Sequence, residues 1–178
     1  GTRNATAQAY FDQGMRWAFA FNHAEAQRAF QAAQKADPKL AMAWWGEALV
    51  LGPNINAPMV PEAVAPALAA LAKAVELAPG APAKDRALIA ALQKRYSADP
   101  KAERAALDAA YADAMKFVAA KYPTGDTILT LYAESFEHSR EAFPPDSLVT
   151  RDGVARVIET MRVFGAVPAG MKMEPESL

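Results

Sequence analysis

The sequence predicts an all-α chain of seven or eight helices, with at least three antiparallel helical hairpins stacked on one another and no sheet. Apolar residues recur at spacings of three and four in nearly every segment, which is typical of helices that bury one face. Proline or glycine stands at the breaks between those segments, where a helix ends or the chain turns. The 178 residues leave room for a sizeable core if the hairpins stack.

Each predicted helix has a local signal for its beginning or its end. Asn22 and His23 form the turn between the first two helices, and Gly52 with Pro53 stops the third. Pro66 is expected to bend the fourth helix or delay its start. The spacing predicts helices at about 5–21, 24–36, 39–51, from 61, 84–97, 101–121, 127–139 and 150–164.

The pattern changes near residue 140, which predicts two parts. Residues 1–140 form the helical repeats. Residues 141–178 form a C-terminal extension with one helix, at about 150–164, followed by a loose tail in which prolines and Gly170 interrupt any helix.

Composition excludes several classes of protein. A net charge of −1 gives no electrostatic footprint for nucleic acid. The absence of cysteine removes disulfides, thiolate metal sites and a cysteine nucleophile. No apolar run is expected to reach the roughly 18 residues of a membrane-spanning helix. No signal peptide is evident, so we expect a soluble protein that is either cytoplasmic or exported with its signal peptide removed.

A repeat of about 34 residues organises the first part of the chain. With Tyr10 as the fourth position of a unit, the small Gly14 falls where a partner helix approaches closely, and Pro38 ends the second helix. The next unit restarts in phase, and its hairpin carries an insertion of about seven residues relative to that period. The inserted loop lies around residues 52–58. The aligned positions of the two units are occupied by Tyr10, Gly14, Trp17, Ala26, Phe30, Ala33 and Pro38, and by Trp44, Ala48, Ala67, Leu71, Ala74 and Pro79.

This pattern resembles the tetratricopeptide repeat (TPR) family. Residues 1–135 are similar to the N-terminal part of larger bacterial TPR proteins of unassigned function, which carry stretches like those at 21–26, 45–46 and 52–56. The resemblance implies a right-handed stack of antiparallel hairpins, an α-solenoid, that serves as a scaffold for protein binding.

No catalytic machinery is visible in the sequence. His138 and Glu134 lie one helical turn apart and could share a metal ion, but two ligands do not make a site. His23 lies in an interhelical turn, where an imidazole commonly bonds the backbone. Neither a phosphate-binding loop nor a serine nucleophile motif occurs. We therefore expect no catalytic residue, no metal site and no cofactor.

The candidate site is the concave groove that the resemblance implies. In the family the first helix of each hairpin lines this groove, and here those positions lack the Lys, Asn and Arg that clamp a peptide carboxylate. They form instead an apolar strip, and two amides of the insertion loop lie at its end. Tyr10, Trp17 and Trp44 are expected in the core. The predicted groove residues are Phe11, Met15, Phe19, Trp45, Leu49, Asn54 and Asn56.

Three functions fit this strip, because an apolar surface of this size should be covered. The first is a non-catalytic module that binds an apolar helix or peptide of a partner protein, or a second copy of the chain. The second is a structural segment of a larger protein whose own eighth helix or insertion loop fills the groove. The third is a fragment of an enzyme that binds a small ligand or a metal, with Trp45, Asn54, Asn56 and His23 around a pocket.

Overall fold

The computed structural model describes residues 1–54, 56–99 and 101–138, and over these residues the chain is all-α. The predicted fold class is thereby confirmed, while the arrangement as a TPR-like solenoid stays a prediction. The predicted helix at about 150–164 and the loose tail lie outside the described residues. The helices are α1 (Ala5–Phe19), α2 (His23–Ala36), α3 (Ala41–Leu51), α4 (Pro61–Leu77), α5 (Ala83–Leu92), α6 (Arg104–Lys121) and α7 (Asp126–His138), with short 3₁₀ turns at Ala78–Gly80 and Gln93–Arg95.

The turn between α1 and α2 spans three residues, 20–22, one more than the sequence suggested. α1 ends at Phe19, and the N–H of Phe21 bonds the carbonyl of Ala18 while the N–H of Asn22 bonds that of Trp17. This pair of bonds is the usual helix C-terminal motif in which glycine takes the left-handed position. Here Phe21 occupies it, with φ of 58°. The Asn22 side chain then accepts from Glu25 N–H, so α2 begins one residue earlier than predicted.

Phe30 joins the first three helices at one point. Its ring lies against two glycines, Gly14 of α1 and Gly46 of α3. A Cβ atom at Gly14 would lie 2.6 Å from Phe30 Cε1, and one at Gly46 would lie 2.5 Å from it, so neither position has room for a side chain. The close approach predicted at Gly14 is therefore present, and Gly46 makes a second one.

A buried carboxylate ties α2 to α3. Glu47 of α3 is 8% exposed, and its oxygens accept from the amides of Gln27, Gln31 and Gln34 at 3.3, 2.7 and 2.6 Å. The three glutamines lie on one face of α2 because they are spaced by four and three residues. A buried charge is tolerated when donors surround it, so this cluster fixes the register between the two helices.

α4 pairs with α3 through small side chains, and Pro66 does not interrupt it. The expected delay of the helix start to Pro66 is wrong, because this exposed proline lies in the second turn of a helix that begins at Pro61. Residues 61–80 are long and apolar enough to cross a membrane by length and composition, contrary to the expectation from the sequence. The core helix of a water-soluble protein can pass the same test, and 28% of this stretch is buried.

The second half of the described chain is anchored to the first by Tyr96. Its hydroxyl donates to the carbonyl of Ala48 at 2.6 Å, and a Cβ at Gly52 would collide with that hydroxyl. Burial of the phenol raises the pKa of Tyr96 to about 12, so the hydroxyl stays protonated and remains a donor. The 3₁₀ turn that precedes Tyr96 therefore sits against the C-terminal end of α3.

Several aromatic side chains lie differently from the prediction. Tyr10 and Trp17 are 40% and 37% exposed, so the expectation that they lie in the core is wrong. Trp44 is half-buried, and its Nε1 donates to the carbonyl of Pro38. Trp45 is the tryptophan of the core. Contrary to the prediction, Trp45 is thus more deeply buried than Trp44, because α3 also packs against α5 on the side where Trp45 lies.

Candidate functional site

A cavity between α1, α3, α5 and the start of α7 is the main candidate site among the described residues, and we call it the groove cavity. Its volume is about 690 Å³, within the roughly 300–1,000 Å³ typical of ligand clefts. Two of its walls are the faces of α1 and α3 that the repeat pattern assigned to the groove. Its lining comprises Gly1, Gln8, Phe11, Asp12, Met15, Leu40, Met42, Trp45, Pro82, Lys84, Asp85, Leu88, Thr124, Gly125, Asp126, Thr127 and Ile128.

The floor of the groove cavity is apolar and rigid. Trp45 is 1% exposed, and its Nε1 donates to the carbonyl of Leu88 at 3.3 Å. Phe11 packs against Phe30 with ring centroids 5.7 Å apart, and Met15 is buried beside it. Because these side chains are held by the core, the floor is preformed, and a bound group would meet it without large rearrangement.

The rim of the groove cavity carries more negative than positive charge. Asp12 and Asp126 are exposed, and Asp12 accepts from the Gln8 amide at 2.7 Å. Asp85 is buried, with a carboxylate oxygen 3.2 Å from the α-amino group of Gly1. Lys84 is the cationic side chain of the lining. The rim therefore favours a cationic group beside an apolar one.

The predicted site residues divide between two places. Phe11, Met15 and Trp45 line the groove cavity, as the repeat register predicted. Phe19, Leu49 and Asn54 line a second and much smaller pocket. Asn56 is exposed and lines neither, although its backbone N–H donates to Asn54 Oδ1 at 2.9 Å.

The second pocket, which we call the arginine pocket, lies where the α1–α2 turn and the loop after α3 meet Arg95 and α7. Its volume is about 20 Å³. Sequence reasoning missed its two charged members, Arg95 and Glu134, because they are distant in sequence from the insertion loop. Its lining comprises Ala18, Phe19, His23, Leu49, Val50, Pro53, Asn54, Arg95, Leu131 and Glu134.

His23 and Asn54 form a hydrogen-bonded pair at the mouth of the arginine pocket. Asn54 Nδ2 and His23 Nδ1 are 3.0 Å apart. The Asn54 amide oxygen already accepts from the N–H of Asn56, so the amide nitrogen is the atom that faces the imidazole. Partial burial lowers the pKa of His23 below its usual 6.5, which favours the neutral ring. His23 Nδ1 is then the acceptor, and its proton lies on Nε2.

Arg95 is the buried charge of this pocket. It is 2% exposed, its Nε donates to Asp108 Oδ1 over a long 3.4 Å, and its guanidinium carbon lies 4.8 Å from the centre of the Tyr111 ring. Arg104 binds the same Asp108 more closely, at 2.9 and 3.0 Å. Over the described residues, Arg95 Nη2 is buried and has no hydrogen-bond partner.

Glu134 of α7 is the other ionisable group of the pocket. Burial raises the pKa of Glu134 above its ordinary 4.5, and the positive charge of Arg95 offsets this only in part. Within the described residues the two side chains form no ion pair, since the salt bridges of Arg95 involve Asp108 alone. Glu134 therefore leaves the Arg95 donor free.

The described residues contain no group of three or more His, Asp or Glu side chains that could hold a metal ion. Of the two possible ligands that the sequence offered, His138 and Glu134, the side chain of His138 lies outside what the structure describes. No protein-family model, curated protein or solved structure matches the chain.

Proposed function

We propose that this protein is a non-catalytic binding module whose groove cavity accepts an apolar peptide segment that carries a basic residue. The observation that carries the proposal is the pairing of a preformed apolar floor with an acidic rim in one cavity of about 690 Å³. The resemblance to TPR scaffolds supports the same kind of partner.

The shape of the cavity favours a peptide over a compact metabolite. A small-molecule site usually surrounds its ligand with several convergent polar groups, whereas the polar groups here lie at the rim. An amphipathic helix or extended segment would place apolar side chains on Phe11 and Met15. A lysine or arginine one turn away could then reach Asp12 or Asp126, which gives the partner a defined orientation.

Peptides selected by display from a random library against the full chain would test the proposal. Apolar residues at helical or alternating spacing, together with a lysine or arginine, should be enriched. Changing Asp12→Lys should weaken binding of a selected peptide about threefold to tenfold, with a larger effect at low salt, because a rim charge is reversed. The matched control is Asp113→Lys, an exposed aspartate of α6 outside the cavity lining.

A second pair of variants tests the floor. Phe11→Ala should weaken the same peptide by about tenfold or more, since a large apolar contact is lost. Phe117→Ala, at an exposed position of α6, should not. Enrichment of acidic peptides, or equal affinities for the groove variants and their controls, would refute the proposal. If a second copy of the chain occupied the groove cavity, the molar mass measured in solution would rise with protein concentration.

A further inference from the structure

We propose that the arginine pocket is a second binding site, separate from the groove cavity, that takes the carboxylate group of a small organic acid on Arg95. The two sites share no lining residue. The proposal rests on two observations about Arg95: its side chain lines the pocket, and its buried Nη2 has no partner among the described residues.

The charge balance around Arg95 leaves room for an anion. Two guanidinium groups, Arg95 and Arg104, share the single carboxylate of Asp108. Arg104 takes the closer contacts, and Arg95 keeps one long bond. A buried donor without a partner is destabilising, so a ligand whose acceptor reaches Nη2 would form a hydrogen bond that the protein alone does not make. A carboxylate is the acceptor that matches a guanidinium best.

The other polar members of the pocket agree with this choice. The hydrogen bonds of Asn54 place the His23 proton on Nε2, so the ring offers a donor. Glu134 forms no ion pair with Arg95 among the described residues, so it leaves Nη2 available to another acceptor. A metal cation is disfavoured, since the guanidinium would repel it.

The size of the pocket limits the ligand. A cavity of about 20 Å³ exceeds the roughly 10–15 Å³ needed for one water, so it admits a single polar head group and little else. Phe19 at its edge is exposed, and Asn54 is half-exposed, so the pocket is reached from the surface. The remainder of the ligand would lie outside, against the exposed Phe19.

The test uses the full chain and acetate as the probe, with chloride at equal ionic strength as the reference. Acetate should raise the melting temperature saturably, and chloride should not. Arg95→Lys keeps the charge but loses the Nη2 donor, so the half-saturating acetate concentration should rise about tenfold or more. Arg86→Lys, an exposed arginine of α5, is the matched control and should match the wild type.

A third variant keeps the test decisive if Arg95→Lys does not fold. Glu134→Gln removes the competing negative charge, so acetate should bind several-fold more tightly. A response to acetate no greater than that to chloride, or one unchanged in both Arg95→Lys and Glu134→Gln, would overturn the proposal and leave the pocket as a site for water.

N-acetyl-leucyl-leucine, with a free or an amidated C-terminus, then distinguishes a peptide end from a free acid. If the natural ligand is a peptide C-terminus, the peptide with a free C-terminus should bind more tightly than acetate. If the natural ligand is a free organic acid, that peptide should not.

Discussion

Glu47 and Arg95 are both charged and almost fully buried, yet their surroundings differ. Glu47 meets three amide donors from α2, so its oxygens are satisfied by the protein itself. Arg95 shares one carboxylate with Arg104 and keeps an Nη2 without a partner among the described residues. A buried charge whose hydrogen bonds are complete serves structure, whereas one with a free donor has capacity left for a ligand.

Removing the carboxylate that serves two arginines should have the largest effect. Asp108→Ala leaves Arg95 buried without a counter-charge, and we expect a loss of about 3 kcal/mol in the free energy of unfolding. Guanidinium-induced unfolding measures it, with Asp113→Ala on the same helix as the exposed control. Equal losses in the two variants would show that the Arg95 cluster does not contribute to stability.

Neutralising Glu47 should cost less, because the side chain keeps its shape. Glu47→Gln exchanges one carboxylate oxygen for an amide nitrogen, which donates rather than accepts, so at least one of the three glutamines loses its acceptor and about 1–3 kcal/mol should be lost. The exposed Glu76, paired with Lys73, provides the control variant Glu76→Gln, which should leave the melting temperature unchanged. A neutral result at Glu47 would mean that the glutamines find other partners.

Replacing Arg95 itself should cost about 1 kcal/mol or less. Arg95→Met fills a similar volume and removes the donor without a partner, while Asp108 retains both contacts with Arg104. The same unfolding measurement applies, and the comparison with Asp108→Ala is the critical one. A loss for Arg95→Met as large as that for Asp108→Ala would indicate that Arg95 is a structural charge like Glu47.

The smallest expected effect is the pH dependence of stability that comes from His23, at the mouth of the arginine pocket. Because burial lowers the pKa of His23 below 6.5, the unfolded chain binds more protons than the folded chain near pH 6. Stability should therefore fall as the pH decreases from about 7 towards the lowered pKa of the folded state. Glu134 acts in the opposite sense, since its raised pKa makes stability fall as the pH rises above 4.5.

His23→Gln isolates the histidine contribution. Melting temperatures between pH 5 and 7.5 should decrease less steeply towards low pH in the variant than in the wild type. Parallel curves for the two proteins would mean that His23 titrates in the folded chain as it does in the unfolded one.

Sequence reasoning succeeded where the signal was local. Helical spacing and the Pro or Gly breaks located the seven described helices, and the repeat register brought Phe11 and Met15 to one cavity with Trp45. It failed where tertiary partners decide burial. The period could not show that α5 covers the Trp45 face of α3, and it therefore did not predict that Trp45 is buried more deeply than Trp44.

The arginine pocket was harder to predict from the sequence than the groove cavity. Arg95, Asp108 and Glu134 carry no motif, and their proximity depends on how the 3₁₀ turn before Tyr96 meets α6 and α7. Only the turn residues near Asn54 were visible in the sequence as candidates, and their polar partners come from elements far along the chain.

The position of Phe30 between two glycines restricts the rotation of its ring. An aromatic ring that rotates by half a turn sweeps a wider volume than it occupies. Here the ring is flanked by the backbone of α1 and α3 at the two glycines, and backbone atoms cannot move aside as side chains can. Rotation then requires both helices to separate briefly. The two edges of the Phe30 ring should thus give distinct proton resonances. The temperature at which these resonances merge would report how often the first three helices separate enough for the ring to rotate.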